Sequence, residues 1–341
     1  MEKEEKIDLK KYKISGKIIT NGGYIVLKGE LCICITTSCG LYIERSIYKS
    51  VKPTILIKTE FTDYLYAEYN GKEFIPISIN GNPSLYFLRI INLFYNLTKK
   101  IPENSIFYEM KFDEGFFVTK GRFIEESIKT GLGSSACYLV GIVFGLVDYD
   151  LSKIHNLSKL CYDINKIMNP KASGCDVVCC VEGSLIYSPL TYKPFKGKMA
   201  KIVLGSFGSS TSTREMINKE EIINADWNRV ININNVILDR LNFTAQEYSD
   251  YSGLKDLYFK YLVALRHLSD KIVPNRQYKA LMDTSDMNIY GCGVSGSGGE
   301  DCTWCLVPES SVNDIVQTWK KTFKYVHVVD LNQGPGIKII E

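Results

Sequence analysis

Two glycines, two serines and a long apolar run form the sharpest chemical feature of the sequence. TGLGSSA, residues 130–136, leads straight into CYLVGIVFGLV, residues 137–147. Glycines let the backbone bend and expose its N–H groups. A helix starting here adds unpaired N–H donors and a partial positive charge. Thr130, Gly131, Leu132, Gly133, Ser134, Ser135 and Ala136 are therefore a candidate phosphate cradle. The Ser134 and Ser135 hydroxyls could turn to phosphate or to a magnesium ion. A tight turn with a serine cap would read the same way.

Three more segments carry candidate chemistry. In SGKIITNGGYIVL, residues 15–27, Lys17 sits between a glycine and a strand-forming run, where an ammonium could be held rigidly. In KASGCDVV, residues 171–178, Asp176 follows small residues and precedes an apolar run; a turn or cap is the alternative. YGCGVSGSGGEDC, residues 290–302, packs glycines densely enough to imply close backbone approach, with Gly296, Ser297 and Gly298 at its centre.

Several chemistries are excluded. A dinucleotide fingerprint needs a hydrophobic strand running into its glycines, and here the lead-in is the polar EESIKT. No Walker A pattern exists. The three histidines, His155, His267 and His327, have no triad company in their segments and read as structural, and no G-x-S-x-G elbow occurs. Cys302 and Cys305 form one CxxC with no second pair, so they read as strand core rather than a zinc ribbon.

The elements that must position these groups follow from pattern. The first third is strand-rich: residues 17–20, 24–27, 31–36, 41–50, 54–61 and 64–69 are β-branched or aromatic runs punctuated by Gly and Asn. Asn82 reads as a cap with Pro83 at the first helical position, opening a helix over 84–98 that is apolar nearly all round. Residues 107–112 are a strand. Residues 137–147 form a buried helix, too short to span a bilayer. A helix over 152–168 shows Ile154, Leu157, Cys161, Ile164 and Met168 on one face, with Ser152 as its cap. Strands follow at 181–188 and 201–207, then helical pattern from 213 to about 268, then strand, helix, strand to the end. Strands and helices that do not alternate strictly indicate α+β layers, not a doubly wound parallel sheet. A domain boundary is expected near Pro189.

Composition sets the outer bounds. The chain has 341 residues, 45 % hydrophobic and 23 % charged, with a formal charge of +3. So balanced a surface creates no field for nucleic acid. The opening MEKEEKIDLKKYK is too polar for a secretory signal, and the 11 cysteines are odd in number and irregularly spaced. Free thiols in a reducing, cytoplasmic compartment are expected, with no membrane partner.

Taken together, the ordered set Gly-Lys then Gly-Gly-Tyr, GLGSSA before a helix, SGCD, and a late glycine-rich loop resembles the GHMP kinase superfamily along essentially the whole chain. The match is nearest to its phosphomevalonate kinase family: GGY stands where mevalonate kinases and galactokinases have Gly-Glu-His, SGCDVVCCVEGSLIY is similar to the family's Gly-Asp segment and following strand, and the last loop ends in an acidic residue and Cys. Ser15 departs from the family's usual Pro. The resemblance implies an α+β fold of two layered domains, residues 1–188 ribosomal-protein-like and 189–341 ferredoxin-like, with the site between them. It implies ATP held by residues 130–136, a magnesium ion with Ser135 as a ligand, and Lys17 and Asp176 facing the transferred phosphoryl group. It implies phosphomevalonate as acceptor, contacted by Lys17, Tyr24, Gly296, Ser297 and Gly298, in a monomer or homodimer. GSSTSTREMINK, residues 208–219, would supply the acceptor's anion site: Ser210, Thr211, Ser212 and Thr213 offer hydroxyls and Arg214 a forked cation. An ordinary Ser/Thr helix cap is the alternative there. Mevalonate kinase, diphosphomevalonate decarboxylase and a non-catalytic binding protein of the same fold remain competing expectations.

Overall fold

The computed structural model describes residues 5–340 except 148–153, 190, 198–199, 210–215, 217, 243–250, 252 and 297. Two sheets organise the described chain. The larger has the order β10-β9-β2-β6-β3-β4-β5, with β1 added beside β2 and β15 beside β1. Its strands are β1 (Lys6–Asn21), β2 (Cys32–Lys49), β3 (Thr54–Thr59), β4 (Tyr64–Tyr69), β5 (Phe74–Asn80), β6 (Asn104–Phe112), β9 (Leu185–Ser188), β10 (Thr191–Pro194) and β15 (Ile337–Ile339). Among the described strands only β3 and β6 pair in parallel, so the expected mixed α+β layering holds. β7 (Phe117–Thr119) and β8 (Ile128–Lys129) form a separate ribbon leading into the first glycine loop.

The second sheet has the order β12-β13-β11-β14, made of β11 (Lys201–Ser206), β12 (Gly291–Val294), β13 (Thr303–Val307) and β14 (Tyr325–Asp330). With α7 (Lys255–Leu268) before β12 and α9 (Val312–Lys320) before β14, the chain order is βαββαβ, as in a ferredoxin-like fold. Further helices α5 (Glu220–Ile223), α6 (Asn228–Asn242) and α8 (Asn275–Met282) are inserted before β12. β10 and β15, both from beyond residue 189, pair into the larger sheet.

Helices α1 (Pro83–Thr98), α2 (Ser134–Leu146) and α4 (Cys175–Glu182) lie against the larger sheet, and α3 (Ile154–Met168) packs on all three of them. α2 is the central one, buried along almost its whole length. Its glycines let it lie flush on its neighbours. A Cβ at Gly141 would meet Ile43 Cδ1 at 2.2 Å, and one at Gly145 would meet the Tyr12 hydroxyl at 2.6 Å. Tyr12 donates to the Gly141 carbonyl at 2.8 Å and Tyr108 to that of Ile142 at 3.2 Å. None of the described helices is long and apolar enough to cross a membrane.

Several local expectations are corrected. Residues 25–28 form a 3-10 turn rather than a strand, closed by Gly29 in the left-handed region at φ 92°. The runs 31–36 and 41–50 belong to one strand, β2, which carries on through Gly40, packed against the Ile14 carbonyl of β1, although its pairing with β1 is irregular just before it. Val181 and Glu182 close helix α4, so the following strand starts at Leu185; the apolar run after Asp176 suits a buried helix as well as a strand. Asn82 is itself helical and makes no side-chain cap. α1 buries only one face, through Phe87, Ile90, Ile91 and Phe94, and leaves Leu85 exposed. The expected face of α3 is buried through Leu157, Cys161 and Ile164; its proposed cap Ser152 lies outside the described residues. Cys302 and Cys305 are free, buried thiols in and beside β13, as expected.

Replacing Gly141 by Val should force α2 off β2 and destabilise the chain by about 1–3 kcal/mol. A lower urea midpoint at unchanged m-value would register it; an unchanged midpoint would show that the contact with Ile43 gives way freely.

Candidate active site

Lys17 owes its position to a bulge. Ser15 pairs with Gly40, yet Lys17 pairs with Thr36, so three residues of β2 stand opposite Gly16 alone. Such irregularities re-aim side chains. The C-terminal segment clamps this one: the Ser15 N–H donates to the Gly336 carbonyl at 2.8 Å, and Asn332 Nδ2 donates to Ser15 Oγ at 2.9 Å. The Lys17 side chain then runs under the first glycine loop. Its own N–H donates to the Leu132 carbonyl at 3.0 Å. Gly133, at φ +80°, must be glycine, because a Cβ there would stand 2.6 Å from Lys17 Cε.

Asp176 comes from α4. Gly174, also left-handed at φ +82°, turns the chain into the helix and rests on the Tyr162 ring. Asp176 falls in the first turn, where the helix dipole favours an anion. Its carboxylate stands 3.6 Å from Lys17 Nζ. Lys17 is 5 % exposed, whereas the Asp176 side chain is 40 % exposed, so the carboxylate side of the pair opens to solvent. Burial works against the Lys17 charge, but Asp176, followed by Cys34, outweighs it and holds the ammonium above its ordinary pKa. Burial likewise pushes the Cys34 thiol up, but hydrogen bonds from Cys175 and Cys179 and the Lys17 charge bring it below the usual thiol range.

The start of α2 faces this pair. Gly133 stands at its N-cap with no side-chain cap. Ser135 is exposed and Ser134 buried, so of the two hydroxyls only that of Ser135 reaches solvent. Tyr86 of α1 donates to the Ser135 carbonyl at 3.0 Å and braces the turn. The Thr130 hydroxyl donates to the Phe116 carbonyl at 2.9 Å and anchors the loop. Leu132 and Ala136 are buried, leaving their backbone as the part that can serve an anion.

The late glycine loop closes the other side. Gly23 backs onto the Gly296 carbonyl, 3.0 Å from where a Cβ would stand, and Gly131 onto Ser295 Oγ at 2.6 Å. Nothing lies within 4 Å of a Cβ placed on Gly296, while one on Gly298 would strike the Ile272 carbonyl at 2.2 Å. Tyr24 is buried and stacked on Trp227, with centroids 5.2 Å apart at 27°, so its ring is packing. Burial, and then Asp301, holds its hydroxyl well above the ordinary tyrosine pKa. Ser210, Thr211, Ser212, Thr213, Arg214 and Ser297 lie outside the described residues. The histidines stand apart: His155 bonds Glu182 at 2.9 Å, His267 faces Arg229 at 3.4 Å, and the His327 ring packs on Gly115.

The sequence did not flag Ser295. Its hydroxyl is buried, 1 % exposed, and has no hydrogen-bond partner among the described residues. A serine beside a glycine run gives no sign in sequence of which way it points.

A magnesium ion fits what is here in one specific way. Ser135 and Asp176 offer hard oxygen donors, yet no group of three or more His, Cys, Asp or Glu among the described residues could hold a metal. That suits an ion carried mainly by substrate phosphates, with one or two protein oxygens.

Solved structures share this architecture. Methanococcus jannaschii mevalonate kinase superposes with a TM-score of 0.70 at 18 % identity, covering 100 % of this chain and 99 % of that one. Streptococcus pneumoniae phosphomevalonate kinase, in complex with phosphomevalonate and AMPPNP, superposes with a TM-score of 0.68 at 16 % identity, covering 94 % and 100 %. The chain has the GHMP kinase fold. Its sequence is also similar to a mevalonate kinase of Thermococcus sibiricus, 25 % identical over 295 residues, which are 79 % of this chain and 86 % of that protein. No family model matches the chain. Relatives and fold neighbours together support the GHMP kinase superfamily.

An unpaired buried hydroxyl costs about 1–3 kcal/mol until a partner arrives. Ser295→Ala in this GHMP-fold chain should therefore leave the unliganded melting temperature equal or higher while weakening binding of an ATP analogue. A lowered melting temperature with unchanged analogue affinity would make Ser295 a packing residue instead.

Proposed function

We propose that the chain is a phosphomevalonate kinase, moving the ATP γ-phosphoryl group to (R)-5-phosphomevalonate to give 5-diphosphomevalonate and ADP. The observation that carries the phosphotransfer reading is the Lys17–Asp176 pair, 3.6 Å apart, beside the uncapped start of α2 where Ser135 is exposed. What favours this acceptor is the sequence: GGY at 22–24 and the hydroxyl-rich stretch with Arg214 at 208–219, suited to a substrate that already bears a phosphate.

Phosphoryl transfer is mostly positioning and charge neutralisation. Backbone N–H groups at residues 133–136 hold the triphosphate. Lys17 stabilises negative charge on the transferring group and on the acceptor oxygen. When bound, magnesium supplies further neutralisation of the phosphates, with Ser135 and Asp176 as its protein oxygens. The bulge that buries Lys17 keeps water from its Nζ and fixes its reach.

A phosphate monoester has a second pKa of about 6, so it is largely dianionic at neutral pH and needs no general base. Asp176 then orients Lys17 and is not a proton acceptor. Asp176→Asn should lower kcat by about 10²-fold yet retain the acid limb of the pH–rate profile, because that limb belongs to the substrate. Loss of the limb with acceptor binding intact would make Asp176 the base. Because the Lys17 pKa is raised, its charge persists upward in pH, and no alkaline loss from Lys17 is expected below about pH 10.

The second reading is mevalonate kinase, favoured by the sequence relatives, which are mevalonate kinases. ADP release separates the two. Turnover with mevalonate 5-phosphate and none with mevalonate is expected; the opposite pattern gives the second reading, and turnover with the diphosphate alone would indicate the decarboxylase.

A further inference from the structure

A seam of thiols runs beside the Lys17–Asp176 pair. Cys32 and Cys34 are two apart on β2, so they share a face of the strand. Cys175 and Cys179 are four apart on α4, so they share a face of the helix. The two faces meet: Cys32 Sγ lies 3.4 Å from Cys175 Sγ. All four are free and 0 % exposed. Cys175 is bonded directly to Asp176, whose side chain is 40 % exposed, so solvent begins one residue away.

We infer that Cys32 and Cys175 are a modification site, at which a hydroperoxide joins them in a disulfide that displaces Asp176 from Lys17. The sulfurs must close by roughly 1.3 Å to reach a bond of about 2.05 Å. β2 lies inside the large sheet, paired to β1, β6 and β9. The first turn of α4 follows Gly174 and has no side-chain cap. The helix end therefore gives, and Asp176 moves with Cys175. Misplacement on this scale costs about tenfold to a hundredfold in rate.

The chemistry balances. One thiol, as its thiolate, attacks a peroxide oxygen; the O–O bond breaks, the proton leaves with the departing oxygen as water, and a sulfenic acid forms. The second sulfur attacks the sulfenic sulfur, the S–S bond forms and a second water leaves. Two electrons pass from the two thiols to hydrogen peroxide. Burial holds the Cys175 thiol well up, which lowers its thiolate fraction and makes its oxidation slow.

The test is to treat the full-length protein with hydrogen peroxide, alkylate it, digest it and map the peptides. Cys39, the partly exposed thiol, reports that oxidant has acted. A Cys32–Cys175 linked peptide is expected, with activity falling about tenfold or more and returning with dithiothreitol. Cys32→Ala and Cys32→Ser should keep nearly full reduced activity and resist the same dose. The inference is overturned if Cys39 is oxidised with no linked peptide, if the link forms without loss of rate, or if both Cys32 variants are inactivated as fast as the parent. The cross-link is read without turnover, so a wrong acceptor assignment leaves that arm standing.

Discussion

A lysine ammonium taken out of water is the constraint on which the rest of the site turns. Desolvating such a charge costs several kcal/mol unless partners replace the lost water. Here Asp176 of α4 is the charged partner that replaces it, followed by Cys34 of β2. Neither partner is near Lys17 in sequence. The charge is therefore tolerable only when β1, β2 and α4 are all in place, and the finished fold is a condition for the chemistry.

The glycines around the pair follow from the same closeness. Gly133 makes room for the Lys17 stem, Gly131 for Ser295, and Gly23 for the Gly296 carbonyl. Three loops far apart in the chain converge where side chains would collide. What they leave facing outward is backbone, the exposed Ser135 and the half-open Asp176. Behind that surface sits the buried Lys17 ammonium, held by Asp176.

Much of this was legible beforehand, and the failures have identifiable causes. GLGSSA before an apolar run announced α2 because a helix buried on all sides must be apolar on all sides. The α+β layering followed from strand runs that helices do not interrupt one by one. By contrast, the strand expected over 181–188 begins too early, because Val181 and Glu182 finish helix α4 and a short buried helix and a buried strand have similar composition. YIVL has strand composition, yet Ile25–Lys28 curl into a turn that Gly29 closes in the left-handed region. The direction of the Thr130 hydroxyl, turned to the Phe116 carbonyl, is likewise nowhere in the sequence.

Sequence by itself determined the local chemistry: which glycines could bend, where a helix could start with its N–H groups bare, and which lysine and which aspartate were embedded in unusual surroundings. Those properties depend on neighbours within a few residues. Only the tertiary structure decided that Lys17 and Asp176 face each other, that Ser295 points at Gly131, and that Cys32 touches Cys175. These contacts join residues more than a hundred apart, through a strand bulge and helix packing whose geometry depends on every element between them.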